Sequence, residues 1–261
     1  MAEGAELIRC ALEAGAPVES VYVSPEGDAD GTIQEVCRRA SVAGARVFPL
    51  APGVLERVAD TVTPQPVLAV LPMLAEPPAA VWSAAGPGSL VLVLVDVRDP
   101  GNAGTVLRAA DAAGAQAVVF AAESVDPYNP KTVRATAGSL FHVPLVVRDD
   151  PAEVAAELAA AGLRTLATVV HEGEDYAALD WSVPTAVFLG NESSGLDPTL
   201  GRRLHGSLAI PMEGRAESLN VGVASAVLCF EASRQRRATA AAARSISPNP
   251  ETGESRTRHG D

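Results

Sequence analysis

The sequence predicts a two-part α/β protein: a small α/β domain over residues 1–74, then a larger, mostly parallel α/β domain over residues 88–240. Three observations support this. Short Val-rich apolar runs alternate with segments of helical period along most of the chain, the pattern of layered α/β folds. The stretch 75–87, A-E-P-P-A-A-V-W-S-A-A-G-P, is dense in proline and small residues, which reads as a linker. From Leu90 onward the strand candidates are almost wholly apolar, as expected of a sheet covered on both faces.

In the first domain a helix is expected from Ala5 to Ala14 and a short strand at V-Y-V, 21–23. A second helix runs from Thr32 to Ala43, with Ile33, Val36 and Cys37 on one face. Strands follow at 46–50 and 67–71, separated by a helical turn around 54–59. In the second domain strands are expected at 90–95, 117–120, 141–146, 165–170, 186–189 and 208–210. Helices are expected at 105–113, 131–137, 151–161, 197–204 and from Ser218 to Arg237. The tail, 241–261, has almost no apolar side chains. It cannot bury enough surface to order and reads as disordered.

The 261 residues are 48% hydrophobic, enough for a substantial core, but the formal net charge is −12. Residues 1–75 carry a net −5 and residues 88–240 a net −6. Neither domain has the basic footprint usual in nucleic-acid binders, so any RNA contact must come from locally clustered arginines. The longest apolar run, Leu90 to Val95, is far too short to span a bilayer, and the start lacks the pattern of a secretory signal. The three cysteines and four histidines are scattered, without metal-ligand spacing. A cytoplasmic protein with no metal and no membrane association is expected.

Three motifs carry chemistry. D-V-R-D-P-G-N-A-G-T-V-L-R, 96–108, leaves a buried strand through a polar loop in which Gly101 and Gly104 give backbone freedom. The helix that follows carries Arg108 close enough to its start to project back over the loop. A dinucleotide loop is the alternative, but G-x-G-x-x-G is absent and Pro100 interrupts. F-L-G-N-E-S-S-G-L-D-P, 188–198, is a second strand-to-loop junction, with Glu192 where a strand's C-terminal end meets a crevice. L-A-I-P-M-E-G-R-A-E-S-L-N-V, 208–221, is the third, with Ser218 read as the cap of the last helix.

Together these motifs resemble the SpoU, or TrmH-like, family of RNA ribose 2′-O-methyltransferases, within the trefoil-knotted class. The first motif matches at Asn102, Gly104 and Arg108, the second from Gly190 to Gly195, and the third from Ile210 to Val221. The resemblance covers about residues 88–240. Ser193 stands where many members have glycine, and Gly222 where many have serine. Residues 1–74 resemble the family's accessory RNA-binding domain, similar to a ribosomal-protein L30e-like fold, on domain order alone. One more strand and a basic segment are expected before Ala2, so this domain is N-terminally shortened or the natural start lies upstream of Met1.

The resemblance implies S-adenosyl-L-methionine as cofactor, held by Gly190, Asn191, Ile210, Met212 and Leu219, and a homodimer formed through the second domain. It implies that Arg108, Asn102, Glu192, Ser218 and Asn220 serve the chemistry, with Asn102 and Glu192 holding the arginine and Ser218 and Asn220 ordering the loops. A guanidinium is a poor base, so Arg108 is better read as stabilising the developing alkoxide. Candidate RNA contacts are Lys131, Arg134, Arg202, Arg203 and Arg215. Arg234, Arg236 and Arg237 either meet phosphate or complement the end of the last helix. The segment 126–144 resembles the ribosomal-RNA branch, which makes 23S ribosomal RNA the expected substrate. Transfer RNA and a non-catalytic RNA-binding paralogue are the alternatives.

Overall fold

The computed structural model of the chain describes residues 1–59 and 63–246, with side chains to residue 242. Domain 1 contains β1 (Ala2–Glu3), α1 (Ala5–Glu13), β2 (Ser20–Val23), α2 (Pro25–Asp28), α3 (Gly31–Val42), β3 (Arg46–Pro49), α4 (Leu55–Val58) and β4 (Val67–Val70). Its strands lie in the order β1-β4-β2-β3, with β2 and β3 parallel and β4 antiparallel to both its neighbours. Ile8 and Ala11 from α1, and Ile33, Val36 and Ala40 from α3, share a core with Val21, Val23 and Val67. The alternation seen in the sequence holds, with two short elements added, β1 and α2.

The segment 75–87 is not a free linker. It contains α5 (Pro78–Ser83), and Val81 and Trp82 are buried beside Val91, Val93 and Phe188. Trp82 Nε1 donates to Glu157 at 3.0 Å, and the Glu76 N–H donates to the Leu145 carbonyl at 2.7 Å. The Val-Trp pair inside a proline-rich stretch accounts for the docking, since burial of such side chains is worth about 1.5–3 kcal/mol each.

Domain 2 contains β5 (Leu90–Val95), α6 (Pro100–Ala113), β6 (Ala117–Ala121), α7 (Pro130–Ala135), β7 (Leu145–Arg148), α8 (Pro151–Ala160), β8 (Arg164–Val169), β9 (Glu174–Asp175), β10 (Thr185–Leu189), α9 (Pro198–Gly201), β11 (Gly206–Ala209) and α10 (Val221–Ile246). The seven strands are ordered β7-β6-β5-β10-β8-β11-β9, and every neighbouring pair is parallel. The chain builds β5, β6 and β7 outward, crosses to β8 and β9, then returns to insert β10 beside β5 and β11 beside β8. All C-terminal strand ends therefore share one edge, and the reversal of strand order falls where β10 meets β5 and β8. Open α/β sheets bind ligands at such a switch point.

Helix starts follow one local rule. Asp99-Pro100, Asn129-Pro130, Asp150-Pro151 and Asp197-Pro198 open α6, α7, α8 and α9, each Asx side chain accepting a backbone N–H and each proline filling the first helical position. Pro100 thus begins a helix rather than interrupting a loop. Gly114, at φ 69, ends α6 in the left-handed conformation. The strand expected from Phe141 begins only at Leu145. Gly138, at φ 100, starts a 3₁₀ turn over Ser139–Phe141, and Pro144 has no N–H to offer a ladder. At the other end α10 continues past residue 240 to Ile246, so the first residues of the segment expected to be disordered are helical. Residues 247–261 lie outside the described residues.

The two domains share one apolar core. Arg134 on α7 pairs with Glu3 on β1 at 3.5 Å. A Cβ on Gly138 would come within 2.7 Å of Cys10 Sγ, so domain 2 approaches α1 closely at this glycine. No described helix is long and apolar enough to cross a membrane, and the described residues hold no group of three His, Cys, Asp or Glu fit for a metal.

Candidate functional site

A cavity of about 450 Å³ opens at the switch point, within the size range of small-molecule sites. Its walls come from three strand ends and the loops beyond them: Thr168–Val170 at the end of β8, Leu189–Gly195 from the end of β10, and Leu208, Ile210, Met212 and Glu217–Val221 around the loop before α10. All five residues expected to hold the cofactor, Gly190, Asn191, Ile210, Met212 and Leu219, line it.

The glycine of the second motif has a clear geometric reason. The Asn191–Gly195 segment is a tight turn closed by two backbone hydrogen bonds, Asn191 N–H to Gly195 O at 3.1 Å and Gly195 N–H to Asn191 O at 2.9 Å. A Cβ on Gly190 would lie 2.5 Å from Leu196 N and 2.6 Å from Gly195 O. Only glycine lets the turn fold back this closely. Gly195 itself has φ 67, the left-handed region in which glycine is unstrained. Inside the turn Asn191 Oδ1 accepts from Ser193 N at 3.0 Å and Ser194 N at 3.2 Å. Asn191 Nδ2 donates to the Asp96 carbonyl at 2.8 Å. The side chain of Asn191 is thus internal scaffolding that ties the second motif to the start of the first. Ser193 keeps a negative φ and adds a hydroxyl bond to Asn191 at 2.9 Å.

A polar chain joins all three motifs. Asn102 Nδ2 donates to Glu192 Oε1 at 2.7 Å, and Asn220 Nδ2 donates to Asn102 Oδ1 at 2.8 Å. Asn220 Oδ1 accepts from the N–H groups of Gly222 at 2.9 Å and Val223 at 3.3 Å. The cap of α10 is therefore Asn220, not Ser218 as the sequence suggested. Asn220 lies two and three residues before those two donors, the spacing an N-cap needs. Ser218 is exposed and lines the cavity.

Two further readings of the first motif change. Gly101, Asn102 and Gly104 are helical, within the first turns of α6. Gly104 is required by packing rather than by loop freedom: a Cβ there would lie 2.8 Å from the Ala135 carbonyl carbon on α7. Arg108 does not meet Asn102 or Glu192, which bond each other instead. It is exposed, makes no hydrogen bond or ion pair among the described residues, and does not line the cavity of the single chain. Six residues along a helix is about 9 Å of rise, which separates it from Asn102.

The expected RNA contacts divide. Lys131, Arg202, Arg203 and Arg215 are exposed, and Arg215 lies in the loop between the cavity residues Met212 and Glu217. Arg134 is instead committed to Glu3. Of the last-helix arginines, Arg234 pairs with Glu231 at 2.7 Å. Arg236 donates to the carbonyls of Gly88 at 3.1 Å and of Ala113, pinning α10 to the end of α6, and its half-burial lowers its pKa. Thr168 and Glu217 also line the site but were not singled out from sequence. Thr168 is the next-to-last residue of β8 and donates to the Phe188 carbonyl at 3.0 Å; the rule that ligands gather at parallel strand ends would have pointed to it.

The donor set fits a nucleoside-bearing sulfonium. Ile210, Met212 and Leu219 offer apolar contact, the loops offer backbone groups, and Glu192 and Glu217 place carboxylates where a cation is favoured.

Known proteins place this arrangement. The model for the SpoU rRNA methylase family matches residues 89–230, and that for the RNA 2′-O ribose methyltransferase substrate-binding domain matches residues 1–77. The chain is 35% identical over 228 residues to the 23S rRNA (guanosine(2553)-2′-O)-methyltransferase RlmP of Bacillus subtilis, covering 87% of this chain and 86% of that one. Among solved structures it is similar to the SpoU methyltransferase AviRb of Streptomyces viridochromogenes in complex with AdoMet, with a TM-score of 0.80, 30% identity and coverage of 90% and 89%. It is also similar to an AdoMet-bound rRNA methyltransferase from Sinorhizobium meliloti, with a TM-score of 0.77, 31% identity and coverage of 89% and 86%. The chain belongs to the SpoU family of RNA ribose 2′-O-methyltransferases.

Proposed function

We propose that this chain transfers a methyl group from S-adenosyl-L-methionine to a ribose 2′-hydroxyl of 23S ribosomal RNA, acting in the cytoplasm as a homodimer. The observation that carries this reading is the Glu192–Asn102–Asn220 chain, which ties the first motif to the second and third, whose loops line one cavity at the sheet's switch point. The bound donor supplies a methyl already activated on a sulfonium. What remains for the protein is alignment and control of charge. The turn at Gly190–Gly195 and the loop from Ile210 to Asn220 hold the cofactor. Asn102 and Asn220 fix the first motif against them, and Glu192 and Ser218 face the same opening. Lys131, Arg202, Arg203 and Arg215 meet RNA phosphate.

Arg108 acts on the ribose hydroxyl by stabilising the developing alkoxide. Its position outside the cavity of the single chain supports a shared site, in which a second subunit brings its own Arg108 to this cavity. Val223 and Phe230, each 48% exposed on α10, supply an apolar stripe for that interface. The insertion of β10 and β11 between earlier strands supports a trefoil-knotted path, an exception to the rule against threaded chains. The similarity to RlmP over both domains favours ribosomal RNA over transfer RNA.

Arg108→Ala tests the assignment. The variant is expected to fold, dimerise and bind S-adenosyl-L-methionine in calorimetry, yet transfer no labelled methyl to ribosomal RNA. Full activity would sink the role given to Arg108. Mapping 2′-O-methyl positions in 23S ribosomal RNA with and without the gene identifies the nucleotide, and an unchanged map would overturn the substrate.

A further inference from the structure

Domain 1 matches a substrate-binding family yet is acidic, so the means by which it grips RNA is not obvious from charge. Its five arginines are mostly spent. Arg9 pairs with Glu6 and Glu13, Arg38 with Glu35, and Arg39 with Glu13. Arg57 donates to the Gly53 carbonyl. Arg46 alone has neither a carboxylate nor a hydrogen-bond partner for its guanidinium among the described residues. Instead it lies over the ring of Phe48, 5.7 Å from the centroid. Phe48 in turn stacks on Tyr22, with centroids 5.4 Å apart and planes 20° from parallel.

Strand register builds this pile. β2 and β3 pair in parallel with Ser20 opposite Arg46 and Tyr22 opposite Phe48. Side chains two apart on a strand share a face, so all three project from one side of the sheet, and Val21 and Val23 fill the core on the other. β3 is an edge strand, so nothing in the sheet covers the outer side of Phe48, which is 38% exposed. Phe48 and Phe230 are the exposed aromatics among the described residues. Phe230 belongs to an apolar helix stripe suited to protein. Phe48 has a cation and a second ring beside it, the combination that stacks nucleobases.

We propose that Tyr22, Phe48 and Arg46 form a stacking platform for an unpaired nucleobase of the RNA substrate. The base adds to the ring pile at the open edge of β3, and Arg46 shares the stack and faces the phosphate. Stacking needs no net positive field, so it lets a domain of net charge −5 over residues 1–75 hold RNA. The platform rests on the reading of the chain as an RNA methyltransferase, and adds a substrate contact distant in sequence from the three motifs.

The test uses the full chain with Phe48→Ala, Phe48→Leu, Phe48→Trp and Arg46→Gln. The probe is a short, mixed-sequence, fluorescein-labelled single-stranded RNA, with its perfect duplex alongside. Phe48→Ala and Phe48→Leu should weaken single-strand binding by at least about fivefold with little dependence on salt, and leave duplex binding unchanged. Arg46→Gln should weaken it less, and more so at low salt. Phe48→Trp should bind like the parent, with RNA quenching its tryptophan emission beyond any change in the parent, whose tryptophans are Trp82 and Trp181. It also serves as the folding control. Parent-like RNA affinity in Phe48→Leu, which keeps an apolar side chain but no ring, overturns the platform, as does quenching in Phe48→Trp no greater than in the parent. Labelled-methyl transfer to transcribed 23S ribosomal RNA separates the two readings. If the parent transfers methyl and Phe48→Leu does so with unchanged KM, the platform fails and the enzyme stands. If the parent transfers none but Phe48→Leu loses RNA binding, the platform stands and the enzyme fails.

Discussion

Asn220 donates through Nδ2 to Oδ1 of Asn102 at 2.8 Å while its own Oδ1 caps α10, so one side chain sets both the start of the last helix and the orientation of the first motif. The orientation passes on, because Asn102 with its oxygen taken must turn its amide N–H to Glu192. Asn102→Asp replaces that donor with a second carboxylate facing Glu192. Like charges at hydrogen-bond distance repel, and methyl transfer should fall at least about tenfold by the general scale of misplaced catalytic groups. Glu192→Gln alone should be mild, since its amide oxygen still accepts from Asn102. Combining the two should restore part of the activity lost in Asn102→Asp, because the introduced amide can donate to the introduced carboxylate. Steady-state transfer rates of the three variants check this, and strictly additive losses would refute the relay.

Gly190→Ala should abolish cofactor binding without unfolding the protein. The added Cβ would sit 2.5 Å from Leu196 N and 2.6 Å from Gly195 O, and backbone atoms cannot rotate aside as a side-chain tip can. The turn must open, displacing Asn191 and Glu192 from the cavity wall. Calorimetry with S-adenosyl-L-methionine should show at least about a hundredfold loss, which is about 2.8 kcal/mol. Circular dichroism should be close to that of the parent.

What could be read before the fold was known depended on the range of the interaction. The buried strands at 90–95 and 186–189 announce themselves by unbroken apolarity, because both their faces are covered. The three motifs are legible because each is a continuous segment with its own local geometry. Asp99-Pro100 is equally local, and reading it as a helix start would have placed Asn102 and Gly104 inside α6. The reasons for Gly104 and Gly222 lie in other elements, at Ala135 and Thr105, and no spacing reveals them. The pairing of Arg134 with Glu3 joins residues far apart in sequence, so an arginine that looked free for RNA was not. Trp82 in a proline-rich stretch was the visible signal that residues 75–87 would dock.

Gly222 has its explanation across a helix interface. A Cβ there would lie 2.8 Å from Thr105 Cγ2 and 2.9 Å from Thr105 Cβ. Thr105 is held by its hydroxyl bond to the Gly101 carbonyl at 2.8 Å, so the methyl cannot rotate freely. Gly222→Ser should therefore destabilise the protein by about 1–3 kcal/mol, the scale of overpacking. Thr105→Ala in the same chain should recover part of that loss by removing Cγ2. A double-mutant cycle from urea unfolding measures the coupling, and a value within about 0.5 kcal/mol of zero would mean the two residues do not compete for space.

Cys229 gives a pH dependence whose sign is fixed by its burial. It is fully buried on α10, and desolvation pushes its thiol from 9.0 up to about 12, with Arg236 opposing. Below pH 9 both the folded and unfolded chains keep the proton and nothing changes. Between 9 and 12 the unfolded chain loses it while the folded chain holds it, so stability falls as pH rises, by up to about 1.4 kcal/mol per unit. Cys10, Cys37 and Tyr128 are raised by burial too and act in the same direction. Cys229→Ala should thus reduce the alkaline slope without removing it, beside a roughly constant loss from the small cavity. Urea midpoints between pH 8 and about 11 provide the comparison with the parent. An unchanged slope in Cys229→Ala would mean that this thiol ionises as readily in the folded chain as in the unfolded one.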